Sequence, residues 1–314
     1  MRRVMAALGR AFITVGILIL LFVGYQLWGT SIYTAREQNA LEQDFETTLA
    51  REGVPAPTST TATTTNGVPG ETSETSETDE PALLAPTIPA EGDPVARIKI
   101  PKIGVDSIVV NGVSRNELRK GPGLYPETAL PGQAGNAAIA GHRTTYGAPF
   151  GDLDKLVVGD LVQVQTLYGV FRFRVTEQLI VAPSDVGVID PKPVDPNTPS
   201  KGLIPQVTLT TCNPKYSAAQ RLIVKADLEP DQVALPASTT RGTTQIAEEG
   251  LSGESGSASP AALAGLIAAL IGLAWWLFFH RHPSWATWIV GAVPFAVALF
   301  FFYSFLERLL PANY

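Results

Sequence analysis

The chain has 314 residues, a formal net charge of −6 and 45% hydrophobic residues. The acidic balance, with no basic stripe interleaved with aromatics, argues against nucleic acid as a partner. The only cysteine, Cys212, excludes an intramolecular disulfide. With a single nearby histidine it falls short of a zinc ligand set, so neither a metal nor a cofactor is expected.

Residues 1–10 carry Arg2, Arg3 and Arg10, which place the N-terminus in the cytoplasm. Residues 11–30 are uncharged and strongly apolar from Phe12 to Trp28, long enough for the roughly 20 residues that cross a bilayer core. A cleaved signal peptide is the rival reading. The apolar stretch exceeds its usual length of about 7–15 residues, and no A-x-A site follows. Residues 31–93 read as an extracytoplasmic stalk, disordered from about residue 53. There Thr, Ser, Pro and acidic residues dominate, and Glu71, Glu74, Glu77, Asp79 and Glu80 lie without any Lys or Arg between them.

Residues 94–229 read as one compact unit of β type. Alternation marks strands at 97–100, 161–165 and 170–175, Ile108-Val-Val at 108–110 follows the first of these after Gly104, and Leu167-Tyr168-Gly169 reads as a hairpin turn. Val207–Cys212 and Arg221–Leu228 supply two late strands, and short helices fit Arg115–Arg119 and Gly151–Leu156. Many short strands punctuated by Gly and Pro predict an all-β barrel or sandwich. Residues 230–259 form a second polar linker. Two more apolar runs, 260–279 and 285–306, flank a short turn at 280–284 holding His280, Arg281 and His282. They predict a transmembrane hairpin with a cytoplasmic turn, followed by a tail at 307–314. Core helices of a soluble domain are the rival, and the length and lack of charge weigh against it.

The chemistry concentrates on three residues. Strand parity puts Thr208, Thr210 and Cys212 on one face of their strand, with Cys212 at its exit just before Asn213-Pro214. That position predicts an accessible thiol. Arg221, at the head of the next strand, would lower the thiol pKa and donate to an oxyanion. His142 is the one histidine away from the C-terminal hairpin, and it offers a general acid/base. A structural cysteine, a loop histidine and a surface arginine are the plain alternatives for each taken singly.

Three segments carry a specific resemblance. TLTTCNPKYSAAQRLIV at 208–224 resembles the Cys…Arg signature of sortases, and within them class E. IAGHR at 139–143 is similar to that family's histidine motif, and KGPGLYPETALPG at 120–132 is similar to the segment ahead of it. The resemblance implies a closed eight-stranded β-barrel and a cysteine transpeptidase. Such an enzyme cleaves a C-terminal LPXTG- or LAXTG-like sorting signal between Thr and Gly, through a thioacyl intermediate, and transfers the protein to a cell-wall amine. It implies Cys212 as nucleophile, His142 as general acid/base and Arg221 as oxyanion stabiliser. It also points to Tyr125 in choosing between the two signal types, and Thr211 would add a hydroxyl contact. The C-terminal hairpin departs from single-anchor members and resembles pilin-type sortases. The implied partners are secreted proteins with sorting signals, a peptidoglycan precursor or pilin amine as acceptor, and membrane lipid. A different cysteine acyltransferase or a non-enzymatic membrane-anchored β-module remain as alternatives.

Overall fold

The computed structural model describes residues 2–52, 88–198, 202–236, 258–281 and 285–309. Most of the stretch expected to be disordered from about 53 to 93, most of the second linker, and most of the turn at 280–284 and of the tail at 307–314 lie outside them.

The chain opens with α1 (Arg2–Gly24), which passes through a π-helical turn (Tyr25–Gly29) directly into α2 (Thr30–Glu52). Gly29 is obligatory at that turn, because a β-carbon there would meet the Tyr25 ring at 2.6 Å. The first part of the expected stalk is therefore helix. Its apolar stripe of Leu41, Phe45 and Leu49 packs against Ile108, Val110 and Leu167 of the β unit. Phe45 is 2% exposed, and burying such a side chain contributes about 1.5–3 kcal/mol.

The β unit contains β1 (Pro94–Ile100), β2 (Val105–Asn111), the short helix α3 (Arg115–Lys120), β3 (Gly123–Leu124) and β4 (Asn136–Ala140). It continues with β5 (Leu161–Thr166), β6 (Gly169–Val181), β7 (Gln206–Asn213) and β8 (Gln220–Leu228). The strands close into a barrel in the order β1-β2-β3-β4-β7-β8-β6-β5, so the all-β expectation holds in its closed eight-stranded form. Alternation works as it should in β5, where Val162 and Val164 are buried and their neighbours are half exposed. β6 is long enough to pair with β5 at its start and with β8 further on, with a bulge between Val175 and Glu177.

The pairings that matter for the site are β4 with β7, parallel, and β7 with β8, antiparallel. Parallel neighbours end on the same rim, and an antiparallel neighbour begins there. The exits of β4 and β7 and the start of β8 therefore share one rim of the barrel.

Two further helices, α4 (Ala258–Arg281) and α5 (Trp285–Leu309), form the C-terminal hairpin. Three helices are long and apolar enough to cross a membrane, with candidate spans Phe12–Glu52, Ser259–Phe279 and Trp288–Glu307. The first and last touch: the Tyr303 hydroxyl donates to the Leu18 carbonyl oxygen at 2.7 Å, and its ring meets Phe22 edge-on at 5.2 Å.

Candidate active site

The register brings the cysteine and histidine motifs together. Ala140 of β4 is paired with Thr210 of β7. His142 and Cys212 each lie two residues beyond that pair, so the two segments carry them in step towards the same rim. The pairing is extended by Gly141 N–H donating to Thr210 O at 3.1 Å, and by Thr211 Oγ1 donating to Gly141 O at 2.7 Å. Gly141 is required, because a β-carbon there would lie 2.6 Å from the ring of Phe150, a core residue. On the other side, Cys212 is the register partner of Arg221.

Cys212 and His142 line one cleft of 530 Å³, with Arg115, Arg119, Arg143, Tyr146, Tyr216 and Glu307 among the other lining residues. The wall facing the barrel rim comes from the N-terminal helix, through Val23, Gln26 and Leu27. Gln26 and Leu27 belong to the π-helical turn. Such turns recur at functional sites in helices.

The expectation of an accessible thiol is corrected. Cys212 is 5% exposed, and the cleft that it lines with His142 is also lined by Val23, Gln26 and Leu27 of the helix that sequence reading assigns to the bilayer. Burial pushes the thiol pKa above its ordinary value, and the charges of Arg221 and Arg143 oppose that rise.

Arg221 does not line the cleft. Its Nη1 donates to the carbonyl oxygens of Ala218 at 3.1 Å and Gln220 at 3.2 Å in the β7–β8 turn. It acts on the sulfur in this state as a nearby positive charge. Thr211 is 1% exposed, and its hydroxyl braces the histidine loop. Tyr125 lies just after β3, its N–H bonded to Ala138 O at 2.9 Å, outside the cleft lining.

Sequence reasoning missed Arg143. Its Nη1 donates to Cys212 O at 2.9 Å and to Asn213 Oδ1 at 2.8 Å, while Nη2 pairs with Asp154 at 3.1 Å. It is 5% exposed. The signal was available: a second cation follows the histidine directly, and any loop that delivers His142 to Cys212 brings Arg143 with it. His142 itself has Thr145 Oγ1 at 3.3 Å from Nδ1 and the Tyr146 ring against its own, with centroids 4.9 Å apart.

A family model described as the sortase domain matches residues 98–229. Sortase SrtE1 of Streptomyces coelicolor is 33% identical over 226 residues, 69% of this chain and 55% of that protein. Sortase D of Bacillus subtilis is 31% identical over 101 residues, 32% of this chain and 50% of that protein. This chain thus spans about half the length of these two relatives. Among solved structures, sortase E from Streptomyces avermitilis is 40% identical over 45% of this chain and 90% of that chain, with a TM-score of 0.39. Sortase E1 from S. coelicolor, solved with a tripeptide in the active site, is 34% identical over 45% of this chain and 91% of that chain, with a TM-score of 0.40. Residues 98–229 are a sortase domain.

Proposed function

We propose that this chain is a membrane-anchored cysteine transpeptidase that cleaves a C-terminal LPXTG- or LAXTG-like sorting signal between Thr and Gly. The observation that carries the reading is the equal offset of His142 and Cys212 beyond the paired residues Ala140 and Thr210, which delivers both to one cleft.

In this reading His142 takes the thiol proton as the Cys212 sulfur attacks the threonine carbonyl carbon. The S–C bond forms, and the carbonyl oxygen becomes an oxyanion. The imidazolium then protonates the glycine nitrogen as the C–N bond breaks, leaving a thioacyl enzyme. An incoming amine attacks the thioester, His142 removes its extra proton, and the sulfur leaves and recovers a proton. Arg221 serves the oxyanion after turning its guanidinium from the β7–β8 turn towards the substrate. Tyr125 and Thr211 are assigned to the signal-binding side, Thr211 through the loop that it braces.

The barrel, residues 94–229, is the catalytic domain on the extracellular face. The spans at 11–30, 260–279 and 285–306 hold it at the membrane, and residues 53–93 and 230–259 link it to them. The donors are secreted proteins with sorting signals, and the acceptor is a peptidoglycan-precursor or pilin amine. Tethering donor and enzyme to one membrane raises their effective concentration. The test is Cys212→Ala with a labelled sorting peptide. Loss of cleavage is expected, and cleavage that persists overturns the assignment.

A further inference from the structure

Of the three residues given chemical roles, Cys212 and Arg221 stand on strands and only His142 stands on a loop. That loop is strained. Tyr146 has φ +52° and Ala148 φ +46°, left-handed conformations that strain a residue with a β-carbon. They persist only where surrounding contacts hold them.

The contacts that hold Tyr146 come from the helices. Its N–H donates to Thr30 Oγ1 of α2 at 3.0 Å. Its ring lies under the Arg119 guanidinium, 5.8 Å from the centroid. Glu307 of α5 lies near enough to its hydroxyl to act on it electrostatically. Glu307 in turn pairs with Arg119 at 3.1 Å, and its carbonyl oxygen accepts from Arg115 at 3.3 Å. Thr30 is 1% exposed, Tyr146 and Arg119 6%, and Glu307 9%. Burial first, then the Glu307 charge, push the Tyr146 hydroxyl far above the ordinary tyrosine range, with Arg119 opposing, so it remains a donor.

We propose that Tyr146 is a positioning residue for the His142 imidazole, and that the N-terminal helix and the C-terminal hairpin hold it there through Thr30 and Glu307. The helices that read as anchors are then part of the catalytic apparatus. The proposal rests on the assignment of His142 as acid/base. Removing a helix contact lets the strained loop relax and the imidazole drift. Proton transfer slows, while the strands and loops of the barrel that bind the peptide are unchanged.

The full chain in detergent micelles provides the test. Thr30→Val removes the hydroxyl acceptor at nearly constant volume, and Thr30→Ser keeps it. Thr30→Val should lower kcat on a Thr-Gly sorting peptide on the order of tenfold to a hundredfold, with KM within about twofold of wild type. Thr30→Ser should behave as wild type. Glu307→Gln should give the same kcat loss and carries the comparison if Thr30→Val fails to fold. Alkylation of Cys212 by iodoacetamide needs no substrate: its rate in Thr30→Val should fall towards that of His142→Ala and recover in Thr30→Ser. Equal kcat and equal alkylation rates in Thr30→Val and Thr30→Ser overturn the proposal, as does a loss carried by KM alone. If wild type leaves the peptide uncut, the transpeptidase reading fails, and the alkylation comparison still decides whether Thr30 acts on His142.

Discussion

Arg143 reaches across the site and donates from Nη1 to the carbonyl oxygen of Cys212 at 2.9 Å. The residue after the histidine is thereby fastened to the backbone of the cysteine, so the two motifs are joined by a buried cation as well as by the β4–β7 ladder.

Replacing Arg143 by Met removes this bond and the one to Asn213 Oδ1 and leaves both acceptors short of a partner. A buried acceptor left so costs about 1–3 kcal/mol. The variant should unfold at lower denaturant concentration with an unchanged slope against denaturant. An unshifted midpoint would show that the clamp carries no stability.

The pH dependence of Cys212 alkylation follows from its burial. Because burial pushes the thiol above its ordinary value, the thiolate fraction at neutral pH should be smaller than for a free cysteine, whose pKa is about 8.5. The rate should therefore rise with a midpoint above that of free cysteine. Arg143→Met and Arg221→Met each remove a charge that opposes the rise, so both midpoints should move further up. A wild-type midpoint below that of free cysteine would contradict the sign.

Arg221→Lys keeps a positive charge beside the sulfur but loses the planar fork. Turnover should fall on the order of 10²–10³, the usual effect of losing one oxyanion donor, with thermal stability retained. Turnover close to wild type would leave Arg221 with a purely long-range electrostatic part in the reaction.

Gln38 of α2 substitutes for a missing strand. β3 is only two residues long and pairs with β2 only at Val110 and Asn111. The outward N–H of Ile108 donates instead to Gln38 Oε1 at 2.7 Å. Gln38 Nε2 donates to Ile108 O at 3.0 Å and to Lys120 O at 2.9 Å. Gln38→Ala should destabilise the barrel by about 1–3 kcal/mol and lower Tm in a calorimetric scan. A Tm equal to wild type would mean that water replaces the amide without loss.

Six of the eight strands were legible: in β1, β5 and β6 one face meets the core and the other polar surroundings, which writes a period of two into the residues, and β7 keeps an alternation of Thr with apolar residues although all but its last residue is buried. β4 was not. Its residues Asn136-Ala-Ala-Ile-Ala are buried throughout, since it lies between β3 and β7 and is covered on both faces, so no alternation survives. α2 could have been read from Leu41, Phe45 and Leu49 at helical spacing, but the apolar run before it and the polar run after it drew the boundary at residue 30.

The residues of the chemistry are local facts. One cysteine, one histidine outside the hairpin and the distinctive segments around them are fixed by the order of the chain, and so is the presence of three apolar runs long enough to cross a bilayer. Which groups surround the sulfur was decided only by the tertiary structure. Exposure of the thiol, the direction of the Arg221 guanidinium, the clamp made by Arg143, and the seating of Tyr146 against Thr30 and Glu307 depend on strand register and on helices packing over the barrel rim. Those contacts join residues as far as 116 positions apart and more, and burial and hydrogen-bond geometry at such separations leave no mark on neighbouring residues in sequence.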